Sequence, residues 1–173
     1  MPPVPKLPVP VAPGRLAFAV RCAFTAAAAP LLAQALGLPH PVWASMSGLI
    51  VSQESLEATR SSIAGRVAGT ILGAAIAVLV GIAGRHQGLA LEAQIASAVA
   101  ICARLVKGRP TLRVCLWTCP VVLLTGAPEP SIAHVGVMRA SEVILGALLG
   151  GIVHRVSYEL ARRFAPPRSA GRP

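Results

Sequence analysis

Apolar residues run along this chain in long blocks, separated by short clusters of Gly, Pro and charged residues. Six blocks have helical length. Leu16–Leu38 is the first, long enough at 1.5 Å per residue to cross a hydrocarbon core about 30 Å thick. Gly37 and Pro39 close it, and Pro41 opens the second block, which ends near Gln53. That second helix reaches only roughly 20 Å, so it either continues through Glu57 or stays short and sheltered by neighbours. Arg60–Gly84 is a full span, Leu89–Leu105 a fourth helix, Thr111–Leu124 a fifth with Pro120 inside it, and Ile132–Val156 a sixth. Pro120 removes a backbone hydrogen bond and predicts a kink. The pattern thus predicts an all-α, polytopic membrane bundle of about six transmembrane helices, with no room for a soluble second domain.

The ends differ from the middle. Residues 1–14 hold six prolines and read as an extended cytoplasmic tail, and residues 158–173 as a basic one, which leaves 15–157 for the membrane domain. Lys6 and Arg15 precede an apolar stretch, as in a cleaved signal peptide, but Arg21 interrupts that stretch and argues against cleavage. Taking the connections alternately, twelve of the sixteen Lys and Arg residues fall on one side and Arg85 alone on the other. The excess marks the cytoplasmic face and places both termini there, in the inner membrane of a bacterial cell. The Arg155–Arg172 segment also attracts anionic membrane lipid, or serves simply as a retention signal.

Composition agrees with a membrane protein: hydrophobic residues make up 54%, charged residues 13%, and the mean hydropathy is +0.68. A net charge of +10 would suggest nucleic acid in a soluble protein, yet aromatics at 3% leave little for bases to stack on, so no nucleic-acid partner is expected. Cys22, Cys102, Cys115 and Cys119 all lie inside apolar blocks and read as packing residues, with no disulfide framework. Cys115 and Cys119 share a helix face, but no histidine joins them, so no metal is expected. No Ser/His/Asp set, carboxylate dyad or phosphate loop appears, so the chain reads as no enzyme, with no cofactor.

Gly65, Gly69 and Gly73 recur every fourth residue, the small-residue spacing that lets membrane helices approach closely. Pro41-x-Trp43-Ala44, the apolar run and Gln53 turn that follow, and Arg66-x-x-Gly69-Thr70-x-x-Gly73 together resemble the signature of the fusaric acid resistance and aromatic acid exporter superfamily of membrane transporters. Arg139-Ala140 ahead of Leu145-Gly146-Ala147-Leu148-Leu149-Gly150 is similar to that family's last membrane helix. The resemblance covers about half of the chain. It implies an exporter of organic anions such as aromatic carboxylates, with possible coupling to protons. Many members of the family carry two such helical halves and a cytoplasmic domain, whereas this sequence holds one half. A homo-oligomer is therefore expected, joined along the Gly65, Gly69, Gly73 stripe, with Gly146 and Gly150 as further packing residues.

Charges inside spans are costly and point to function. Arg21 and Arg66 lie within reach of one face, where a long side chain can snorkel, while Arg139 and Glu142 sit deeper, three residues apart on one helix face. Arg139 and Glu142 form either a structural ion pair or a site. As a site, Arg66, Arg139 and Arg21 bind the substrate carboxylate and Glu142 carries the coupled proton. Trp43 reads as an interfacial belt residue, and Trp117 and the four histidines are given no chemistry. Two other readings stand beside export: a non-transporting membrane subunit that assembles through its glycines, and a passive anion channel.

Overall fold

The structure, a computed structural model, describes residues 13–126 and 131–164. Expectations for residues 1–12, the 127–130 connection and residues 165–173 lie outside the described residues. Six helices follow in order: α1 (Pro13–Ala35), α2 (Val42–Val51), α3 (Leu56–His86), α4 (Leu91–Leu105), α5 (Cys115–Gly126) and α6 (Ile132–Phe164), with a 3-10 turn at Pro110–Leu112 before α5. The fold is all-α. Three helices, α1, α3 and α6, are long and apolar enough to cross a membrane, and α2 and α5 are shorter apolar helices.

Most boundaries fall within a turn of the sequence reading, and two differ for identifiable reasons. The fifth helix does not start at Thr111, because Pro110 sets up a tight turn and α5 begins only at Cys115. The sixth runs eight residues past Val156, because Glu159, Leu160, Ala161 and Arg162 are strong helix formers and Arg162 and Arg163 complement the helix dipole in the last turn. Pro120 lies inside α5, and Pro30 inside α1.

The second helix is the short, sheltered alternative. Its ten residues rise about 15 Å before the backbone breaks at residues 52–55. Irregular backbone at membrane depth needs internal partners. Here Ser52 Oγ donates to the Gly48 carbonyl (2.8 Å), Gln53 Nε2 to the Ile50 carbonyl (2.7 Å), and the Gln53 N–H to Thr59 Oγ1 (3.2 Å). Arg21 Nη2 then donates to the Gln53 carbonyl (2.8 Å). Ser55 caps α3 by accepting the Ala58 N–H.

Packing follows the small residues. α2 lies on α6 and α1, α5 lies on α3 and α4, and α3 crosses α6. A Cβ placed on Gly65 would fall 2.6 Å from the Thr111 carbonyl oxygen, one on Gly69 would strike Val114, and one on Gly73 would fall 2.8 Å from Thr118 Cβ. On α6, a Cβ at Gly146 would strike the Ala44 carbonyl, and one at Gly150 would fall 2.6 Å from the Gly48 carbonyl oxygen. Both glycine stripes are thus filled by helices of the same chain. The cores match this division: Ala77, Ala98, Cys102, Cys119 and Val122 are fully buried between α3, α4 and α5, and Ala29, Ala33 and Ala44 between α1 and α2 against Leu145 and Leu149 of α6.

Candidate functional site

Two cavities open at opposite ends of the bundle, each walled by a short helix and by a span that contributes one arginine to the lining. The first, about 200 Å³, is lined by Pro39, His40 and Trp43 ahead of and within α2, by Val121 and Thr125 of α5, and by His134, Val135, Met138, Arg139 and Glu142 of α6. α6 brings Arg139 and Glu142 to it because residues 135, 138, 139 and 142 repeat on one helix face. Both are almost fully buried, at 5% and 1% exposure.

Arg139 and Glu142 do not form an ion pair, although they are neighbours on that face. The Arg139 guanidinium carbon lies 3.4 Å from the centre of the Trp43 ring, stacked on its face. Glu142 Oε1 accepts the His40 backbone N–H (2.7 Å) and lies 3.7 Å from His40 Nδ1. Arg139 Nε and Nη1 are buried without a hydrogen-bond partner in the protein. Such N–H groups are unspent charged donors for any carboxylate that enters. The stack leaves the ring plane of Trp43 as an apolar wall beside the charge.

The second cavity, about 430 Å³, lies at the α2–α3 break. Ile50 and Gln53, Ala58, Ser61, Ser62, Gly65 and Arg66 of α3, and Pro110, Thr111, Arg113, Val114 and Trp117 line it. Arg66 is 5% exposed, its guanidinium carbon is 5.6 Å from the Trp117 ring centre, and its Nε is 3.4 Å from Ser47 Oγ. Ser47 is itself held by donating to the Val143 carbonyl at 2.6 Å. Arg66 Nη1 is buried without a partner.

Arg21 is brought to neither cavity. Its guanidinium sits 5.2 Å from the Phe18 ring centre and holds the Gln53 carbonyl. Among the described residues no cluster of three or more His, Cys, Asp or Glu side chains is placed to hold a metal. Cys102 Sγ and Cys119 Sγ approach to 3.1 Å as free thiols in the core.

A family model for fusaric acid resistance protein-like sequences matches residues 25–153, which takes in α2–α5 whole, the second half of α1 and most of α6. The chain belongs to that family. Neither a curated protein nor a solved structure matches it. Fusaric acid resistance proteins are membrane transporters of the efflux type rather than enzymes, and this chain is accordingly a membrane transport protein.

In this member of the family the residues that sequence reasoning missed are those that complete the two cavities. Trp43 is no mere belt residue, Trp117 faces Arg66, and His40 supplies both contacts to Glu142. His154 is also engaged, with Nδ1 2.6 Å from Thr59 Oγ1 in a buried contact between α3 and α6. One signal was present in the sequence: each tryptophan precedes an arginine of a glycine-bearing span by a similar interval, Trp43 before Arg66 and Trp117 before Arg139.

Proposed function

We propose that this protein exports organic anions, aromatic carboxylates foremost, that Arg139 and Arg66 receive the carboxylate, and that Glu142 exchanges the coupled proton. The observation that carries this reading is the Arg139 guanidinium. It is buried in a cavity, stacked on Trp43, and has two N–H donors that no protein atom accepts. A planar aromatic acid matches it, since a carboxylate accepts charge-assisted hydrogen bonds and an aromatic ring packs against indole. A volume of about 150 Å³ suffices for a benzene-sized ring, and both cavities exceed that.

Glu142 suits proton exchange because it borders the same cavity. The titratable and charged groups facing it are Arg139 and His134 of α6 and His40 of the α1–α2 connection, while α5 contributes the neutral Val121 and Thr125. A proton on Glu142 removes the negative charge nearest Arg139, so anion occupancy and protonation favour one another. Arg21 we assign to bracing the α2–α3 break.

The protein sits in the inner membrane with both termini in the cytoplasm, on the strength of the Lys and Arg bias, and works as a homo-oligomer through faces other than the glycine stripes. The test is efflux of labelled aromatic carboxylates from proteoliposomes holding this chain alone, with and without a proton gradient. Gradient-dependent efflux that falls at least about tenfold in Arg139→Ala is the expected result. Flux that ignores the gradient would identify a passive anion channel. No flux from well-inserted protein would identify a subunit that needs a partner.

A further inference from the structure

α3 and α6 share six residues in one register. Sliding α3 by 73 positions onto α6 superposes Arg66 on Arg139, Ile71 on Ile144, Leu72 on Leu145, Gly73 on Gly146, Ala74 on Ala147 and Val80 on Val153. Sliding α2 by 74 positions onto α5 superposes Trp43 on Trp117.

The contacts obey the same two shifts. The Thr59–His154 contact becomes Ile132 against Gly81, where a Cβ on Gly81 would strike Ile132. Ile63 beside Gly151 becomes Gly136 beside Val78, with Cβ approaches of 2.6 Å and 2.9 Å. Ala44 against Gly146 becomes Thr118 against Gly73, and His40 against Glu142 becomes Val114 against Gly69. Trp43 under Arg139 becomes Trp117 under Arg66. At the level of elements, α2 on α6 and α1 becomes α5 on α3 and α4.

In the α3–α6 contacts, residue numbers rise along one helix as they fall along the other, so the helices are antiparallel. An operation that exchanges two antiparallel helices is a two-fold rotation about an axis perpendicular to both. It passes near Thr70 and Val143, midway between the paired contacts. Arg66 and Arg139 each lie four residues from that level, about 6 Å along the bundle and on opposite sides of it. α1–α3 and α4–α6 are therefore inverted copies of one three-helix unit, an arrangement in which transporters place binding sites at the interface of the repeats.

We infer that Arg66 with Trp117 forms a second aromatic-carboxylate seat, the symmetry mate of Arg139 with Trp43, opening at the opposite end of the bundle. The inference rests on the anion reading of the Arg139 cavity. Three features of the second cavity support it independently: the buried Arg66 Nη1 that no protein atom accepts, the ring facing that guanidinium, and lining positions 61, 62, 65 and 66 that the 73-residue shift carries onto 134, 135, 138 and 139 of the first cavity. An anion released from one seat meets an equivalent one about 12 Å farther along the bundle.

The chain has two tryptophans, one at each seat, so each seat carries its own fluorescent reporter. Purified full-length Trp43→Phe and Trp117→Phe proteins would be titrated with 4-nitrobenzoate, a carboxylate that quenches indole, and with 4-nitrobenzyl alcohol as its uncharged control. Saturable quenching of both reporters by the acid alone is expected. Arg66→Gln should raise the half-saturating concentration at Trp117 about tenfold or more and at Trp43 less than twofold, and Arg139→Gln should do the reverse. Quenching confined to Trp43, or quenching of both reporters that responds to Arg139 alone, overturns the second seat and leaves the anion reading standing. Quenching of neither reporter overturns both. Circular dichroism and a single size-exclusion peak qualify each variant, and Arg66→Lys, which keeps the charge but loses the fork, should give an intermediate shift at Trp117.

Discussion

Stacking on an indole face holds Arg139 in position without using up its N–H donors, and cation–π attraction of up to about 2 kcal/mol in a desolvated site offsets part of the cost of burying the charge. Glu142 is oriented separately, by the His40 N–H, so the acid and the base of the cavity are held by different elements. Glu142→Gln keeps an oxygen for that N–H but cannot exchange a proton. Gradient-driven efflux in this variant should fall to the rate seen without a gradient, with assembly and thermal stability close to wild type. Normal gradient response would assign the proton elsewhere. Arg21→Ala separates binding from bracing: losing the donor to the Gln53 carbonyl should cost about 1–3 kcal/mol of stability in detergent, while efflux per folded molecule stays within about twofold. Arg66, Arg139 and Glu142 stand out in the sequence because charge is rare and costly inside an apolar block. Trp43 and His40 do not, because an aromatic or imidazole near a helix end looks the same whether it faces headgroups or reaches across to another helix.

At the scale of elements, the glycine positions set how closely α2 and α5 lie on the long spans. Gly146 touches the Ala44 backbone and Gly73 that of Cys115, so added side-chain volume must push a helix away rather than turn a rotamer. Gly146→Val and Gly73→Val should each destabilise by at least about 1–3 kcal/mol, read as a lower thermal transition in detergent. Gly84 is the contrast, since a Cβ there meets the Gln94 side chain, which can swing aside, and Gly84→Ala should cost less. Equal tolerance at all three would show that the close approach is not what holds the short helices. The small-residue spacing was legible as a contact but not its partner: spacing shows that a helix can approach closely, whereas the choice between a second copy and α5 depends on the whole chain's path. The helix count was legible for the same reason that the spans are apolar. The choice between a short α2 and one continuing through Glu57 was not, because Ser52 and Gln53 end it through side-chain bonds to Gly48 and Ile50 and through Arg21, thirty-two positions away.

For the molecule as a whole, an inverted repeat raises the question of what fixes its orientation. Each half is the other turned over, so the apolar pattern alone specifies neither direction of insertion. What distinguishes the halves is decoration. One difference is chemical: Glu142 and His40 occupy positions where the other half has Gly69 and Val114, which confines titratable chemistry to one cavity. The other is charge, because the α4–α5 connection carries Lys107, Arg109 and Arg113, whereas its counterpart, the α1–α2 connection, carries no Lys or Arg between Leu36 and Pro41, and neither does the α3–α4 connection between Gln87 and Ala90. Positive charge in short connections is retained in the cytoplasm. A fluorescent protein fused after Pro173 should therefore fluoresce, and alkaline phosphatase inserted at Gly88 should be active. Replacing Lys107, Arg109 and Arg113 with glutamine and adding three lysines between Gln87 and Ala90 should give both reporters partial activity, as the population divides between two orientations. A wild-type result reversed at both positions would place the Arg139 cavity on the cytoplasmic side and invert the direction in which the proton enters. An unchanged pattern in the charge-swapped variant would mean that the basic residues left on their original side, Arg60, Arg104, Arg155, Arg162 and Arg163 among them, fix orientation without the α4–α5 connection.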